Sequence, residues 1–151
     1  RYFFNAKPET QMEFDLGLAV REDSENPVYY VQYAHARICT LLKALAAEGY
    51  AVPAAAEAEL GLLTDETEVA LIKQLALYSD TVLVAADRYD PSFINRYLTD
   101  LAAAFHKFYN ACRIKGEEPA LLYARLKLAD TTRSVLRNAM ELIGCTAPEK
   151  M

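Results

Sequence analysis

Glycine and proline are scarce, five and six in 151 residues, and long Ala/Leu-rich runs fill the space between them. That composition disfavours strands and turns and predicts helices. No strand-like alternation is visible. No apolar run approaches the roughly 20 residues of a membrane span, so no membrane partner is expected. A basic-then-apolar leader is missing, and so is an initiator Met. The abrupt opening Arg1-Tyr2-Phe3-Phe4 reads as the continuation of something longer. The three cysteines, Cys39, Cys112 and Cys145, have no paired spacing, which excludes a disulfide framework and implies a reducing, cytoplasmic setting. A glycine-rich phosphate loop and a Cys/His cluster at ligand spacing are both lacking, so neither a cofactor nor a metal is expected. The two histidines, His35 and His106, fall in different helices, and neither is read as half of a nucleophile pair. No residue is therefore assigned a catalytic role.

What remains is an ordinary globular balance, 53% hydrophobic and 25% charged, which removes disorder from consideration. The net charge of −5 argues against nucleic acid until its distribution is read. Residues 107–137 hold seven cations (Lys107, Arg113, Lys115, Arg125, Lys127, Arg133, Arg137) against three acids (Glu117, Glu118, Asp130). Residues 1–106 hold eight basic and sixteen acidic side chains. An acidic scaffold with a basic C-terminal third is compatible with one localised RNA face.

Helix punctuation is clear. Asn26-Pro27 caps and starts a helix over 27–48, stopped by Gly49, with Val28, Val31, Ala34, Ile38, Leu42 and Leu45 on one stripe. Residues 50–63 read as a partly helical connector. Asp65 and Glu68 form a capping box for a helix to Ser79, with Val69, Ile72, Leu75 and Ala76 as its apolar side. A shorter helix runs from Asp80 to about Arg88. Asp90-Pro91 starts a helix over 91–115, striped by Ile94, Leu98, Leu101, Phe105, Phe108 and Cys112. Glu118-Pro119 starts the last, over 119–143, ended by Gly144. Residues 13–22 read as one more short helix. The prediction is an all-α helical bundle forming a single domain over 1–151.

Candidate binding residues lie beside these stripes. At about 100° per residue, Tyr30, Tyr33, Arg37 and Ala44 fall together, away from Val31, Ile38 and Leu42. A ring and a guanidinium one turn apart make a platform for an unpaired base. Periodicity alone favours the other reading, that Tyr33 packs under a neighbouring helix, since bundle helices often touch two partners. His106, Tyr109 and Arg113 occupy adjoining turns, with Tyr109 expected to be half core. Arg133 and Arg137 share a line on the last helix, either meeting phosphates or merely solvated. Arg125 points among Leu121, Leu128 and Val135, and is expected to snorkel or to pair with an acid such as Asp100. His35 is expected to be a hydrogen-bonded structural histidine.

The run Asn26-Pro27-Val28-Tyr29-Tyr30-Val31-Gln32-Tyr33-Ala34-His35-Ala36-Arg37 resembles a segment of bacterial-type arginyl-tRNA synthetases. Leu101 to Asn110 is similar to that family's L-A-x-x-F-H-x-F-Y-N helix, and Leu142 to Met151 to its C-terminal L-G-x-x-A-P-E-R/K-M ending. Arg1-Tyr2-Phe3-Phe4 resembles the last letter and sequel of the D-A-L-R motif. The resemblance spans essentially the whole chain. It implies a helical bundle that grips the anticodon arm of tRNA-Arg, with residues 1–25 leading in from an upstream catalytic half that would be its other partner. It also implies that ATP, Mg²⁺ and arginine sites belong to that upstream half. The family's anticodon pocket, suited to a splayed central cytosine, maps onto Tyr33, Arg37, Tyr109 and Met151. Met151 reaches it only if the chain folds back from Gly144. A helical protein-interaction module, or the homologous domain of another synthetase such as the glycine enzyme's β subunit, remains the alternative.

Overall fold

The computed structural model describes residues 15–21, 23 and 25–151. Residues 1–14, most of the lead-in segment, lie outside the described residues. Among the described residues six α-helices follow one another: α1 (Leu16–Ala19), α2 (Pro27–Ala47), α3 (Glu66–Ala76), α4 (Tyr78–Asp87), α5 (Ser92–Ala111) and α6 (Pro119–Leu142). Two short 3₁₀ turns, Ala55–Glu57 and Leu60–Leu62, make the α2–α3 connector partly helical. Among the described residues there is no strand, and 71% of those residues are helical. The all-α bundle predicted from the sequence is the fold observed.

The caps act as read. The Asn26 side chain accepts from the Val28 amide at 3.1 Å, with Pro27 supplying the first helical φ. Asp65 accepts from Thr67, and Glu68 returns a bond to the Asp65 amide at 2.9 Å. At Gly144, φ is +69° and the Cys145 amide bonds back to the Met140 carbonyl at 2.8 Å. This left-handed turn ends α6 and sends the tail back along the bundle.

Helix α5 is the spine, packed by α2, α3, α4 and α6. Its whole expected stripe, Ile94 through Cys112, is buried, and Phe105 and Phe108 are its largest sealed side chains. On α2, Val31, Ala34, Ile38 and Leu45 are buried, whereas Val28 and Leu42 only flank the core.

Three expectations fail in instructive ways. Helix α5 stops at Ala111 rather than 115, because Cys112 turns extended (φ −109°, ψ 118°), and Cys112 and Ile114 are both buried. The break between α3 and α4 falls at Leu77, two residues early: there ψ opens to −7° and the amide bonds to the Gln74 carbonyl three residues back, and Ser79-Asp80 sits inside α4. Together Glu66–Asp87 form one run long and apolar enough, by length and composition, to cross a membrane, which the sequence reading did not expect. The third failure concerns its orientation. Glu68 and Leu71 are buried while Ile72 and Ala76 are exposed, so α3 is rotated from its apolar stripe. The cause is Arg125, whose Nε donates to Glu68 Oε1 at 2.6 Å, with Glu117 Oε1 3.3 Å from its Nη1. Arg125 thus pairs with Glu68 and Glu117, not with Asp100, which is exposed.

Candidate nucleic-acid interface

Tyr33 and Arg37 lie one turn apart on α2, and Tyr33 is 42% exposed rather than covered by a neighbouring helix. The Arg37 guanidinium carbon sits 4.2 Å from the Tyr109 ring centroid and 6.0 Å from that of Tyr33. A cation between two ring faces is held by both quadrupoles, which fixes a normally mobile side chain. Behind Tyr33 the His106 ring lies 6.0 Å away, itself 5.3 Å from Tyr30 and 5.6 Å from Phe105. Burial first, and the Arg37 charge second, hold the His106 imidazole below its ordinary pKa, so it supports Tyr33 as a neutral ring.

A concave space of about 420 Å³ opens in front of these groups, lined by Tyr33, Arg37, Tyr109 and Met151 together with Thr40, Leu41, Ala36 and Ala44. The four residues singled out from the sequence therefore share one site. Tyr109 is half-buried, with its ring 5.8 Å from Phe105. Tyr30 turns instead toward the bundle, where burial raises its pKa, and Arg113 lies on the extended segment after α5; neither lines the space.

Met151 arrives there because the tail is fastened to α2 in three places. The Gln32 amide donates to the Thr146 carbonyl at 2.9 Å and meets its hydroxyl at 3.1 Å. His35 Nδ1 donates to the Pro148 carbonyl at 2.8 Å. Lys43 pairs with Glu149 at 2.7 Å, raising the lysine's pKa and lowering the carboxyl's. Gln32, Lys43 and Glu149 were missed as candidates, because nothing in the local pattern ties residues more than a hundred positions apart.

His35 is a hydrogen-bonded core histidine, as expected. Burial pushes its pKa down, partly opposed by the Pro148 bond. Against the sequence reading, it does have a thiol neighbour: Cys39, one turn on, at 3.8 Å. Burial drives that thiol's pKa up, so it stays protonated, and no nucleophile results. Arg133 and Arg137 are not equivalent. Arg133 grips Asp130 at 2.7 Å, whereas Arg137 is exposed and pairs with no acid among the described residues.

The profile of the DALR anticodon binding domain family matches residues 31–151. Over the entire chain, the arginine–tRNA ligase of Ruminiclostridium cellulolyticum is 50% identical and that of Moorella thermoacetica 49%, this chain covering 27% of each. The Thermus thermophilus arginyl-tRNA synthetase superposes with a TM-score of 0.82 at 28% identity, covering 97% of this chain and 25% of its own. The chain thus spans about a quarter of the length of these relatives. The glycine-enzyme and protein-module alternatives are not favoured. By profile, whole-chain identity and fold, the chain belongs to the DALR anticodon-binding domain family, in the form found in arginyl-tRNA synthetases.

Proposed function

We propose that this chain grips the anticodon arm of tRNA-Arg, and that Tyr33, Arg37, Tyr109 and Met151 together take the splayed central cytosine of the anticodon. The observation that carries this reading is the convergence of two rings, one guanidinium and one thioether on a single open space. Aromatic faces stack with a base, the guanidinium supplies planar donors and charge, and the thioether adds contact without direction. The parent polypeptide would activate arginine with ATP and Mg²⁺ in the cytoplasm and load it onto the bound tRNA. The described residues do not fit that chemistry, having no phosphate-cradling loop and no cluster of three or more His, Cys, Asp or Glu able to hold a metal. On this reading ATP and Mg²⁺ are bound by the parent's other portion, and the purified 151-residue chain should show no arginine-dependent ATP–pyrophosphate exchange.

The test is a double-mutant cycle between protein and RNA. Stacking on an aromatic side chain is worth roughly 1–3 kcal/mol, so Tyr33→Ala should weaken tRNA-Arg binding about ten-fold. Arg37→Ala should cost a similar amount, and loss of Met151 somewhat less. Replacing the central anticodon cytosine should weaken wild type in the same way, yet weaken Tyr33→Ala little further. Simple additivity of the two losses would remove Tyr33 from the pocket.

A further inference from the structure

Helices α3 and α4 form a long apolar run, yet only 11% of its most apolar window is buried. Leu77 and Val84 stand out from the bundle with Ile72, and Leu83 is 67% exposed. Continuous with Leu77 and Val84, a groove of about 350 Å³ runs between α4 and α5. Among its lining residues Tyr97 is only 4% exposed, and its hydroxyl, shielded from solvent, has no hydrogen-bond partner. A sealed hydroxyl without a partner is unusual in a finished interior. Asp80, Arg96 and Asp100 line the same groove, and none of the three makes an ion pair among the described residues. Helix α4 packs on α5 without substantial contact to α2, so this surface is separate from the Tyr33 site.

We infer that the α3–α4 face is a docking surface for another part of the parent polypeptide. The occupant is an apolar segment that covers Leu77, Leu83 and Val84 and gives the Tyr97 hydroxyl a hydrogen-bond partner. The argument for that occupant is length: the relatives are nearly four times longer than this chain, so most of their polypeptide lies outside the structure. An exposed apolar patch beside an unfinished polar contact is what a domain presents when its neighbour is removed. The inference rests on the reading that the chain is one portion of an arginyl-tRNA synthetase, but not on which nucleotide the Tyr33 site takes.

The three native thiols of this chain are buried, so a single surface cysteine reports cleanly in it, and in the parent-length polypeptide the label is read by mass spectrometry on the peptide that carries the added cysteine. Leu83→Cys, and separately Leu77→Cys, are placed in the 151-residue chain and in the parent-length polypeptide, and their labelling by a fluorescent maleimide is timed without tRNA. Labelling about ten-fold slower in the parent, at a rate independent of protein concentration, is the expected result. Equal rates in the two proteins overturn the inference. So does slowing that appears only with added tRNA, only with phosphatidylcholine vesicles, or only as the concentration of the 151-residue chain rises. The Tyr97→Phe variant separates the groove from the patch. It should lower the Tm of the parent by several degrees and leave that of the 151-residue chain unchanged or higher; an equal effect on both overturns the assignment of a partner to the hydroxyl. Titration with tRNA-Arg on the same samples reports the anticodon reading independently.

Discussion

Glu68 holds two elements at once. One carboxylate oxygen closes the capping box of α3, and the other receives Arg125 from α6, at 1% exposure for the glutamate. Arg125 in turn donates to the Arg113 carbonyl, tying down the segment where α5 stops. Burial is the largest single influence and disfavours the guanidinium charge, but the Glu68 hydrogen bond and the charges of Glu68 and Glu117 together outweigh it and keep the arginine's pKa raised. Removing one member of a buried pair strands the other, so Glu68→Ala should cost about 3–5 kcal/mol in urea unfolding. Asp100→Ala, at the partner the sequence offered, should stay within about 0.5 kcal/mol; equal losses at the two positions would refute the assignment. His35 makes a second residue-scale expectation. Its folded pKa lies below the unfolded value of about 6.5, so the unfolded chain binds the extra proton on acidification. Its contribution to stability is complete above about pH 6.5 and is lost as pH falls toward and through the folded value. His106 is shifted the same way for the same main reason. Denaturation midpoints should therefore drop between pH 7.5 and 5, and His35→Gln should flatten, without abolishing, that slope.

Among the helices, α2, α5 and α6 could be read from the sequence because local rules govern them: a proline at the start, an apolar residue every third or fourth position and, at Asn26 and Asp90, a side chain that accepts from the first turn. The orientation of α3 could not. Its periodicity put Ile72 inside, yet a carboxylate satisfied by an arginine 57 positions away took the interior position instead. The same limit hid the fastening of the tail. Tyr33 and Arg37 were legible because their offset lies within one helix, and Met151 entered only through family resemblance. Gln32 and Lys43, which hold the tail against α2, carry no local mark. Their role is open to test at this scale. Gln32→Leu with Lys43→Ala removes two of the three tethers and leaves the helix exterior otherwise unchanged. The Met151 methyl resonance should then move toward its unstructured position, because the methyl leaves the neighbourhood of the Tyr33 and Tyr109 rings. A methyl signal that stays in place would mean that the His35–Pro148 bond suffices alone.

For the whole molecule, α5 acts as a divider, with α2 and the returning tail on one side and the apolar α3–α4 face elsewhere on its circumference. The charges divide along the chain as well, and an overall −5 conceals a C-terminal third rich in arginine and lysine. How much of that basic charge can reach a phosphate depends on what already holds it. Arg125 is consumed internally, Lys127 and Arg133 both face Asp130, and Lys115 pairs with Glu48 at 2.7 Å. Arg137 is exposed and unpaired among the described residues, so it can neutralise a phosphate without first giving up an acid. Each phosphate contact releases condensed counterions and steepens the salt dependence of binding by somewhat under one unit of slope. Arg137→Ala should therefore flatten a plot of log affinity against log salt by about that amount, for tRNA-Arg and a non-cognate tRNA alike. Arg133→Ala should flatten it less, because Asp130 already screens that guanidinium. The measurement is a tRNA titration between about 50 and 200 mM salt. An unchanged slope for Arg137→Ala would make it a solvated surface charge, and a loss confined to tRNA-Arg would move it from the phosphates to the bases.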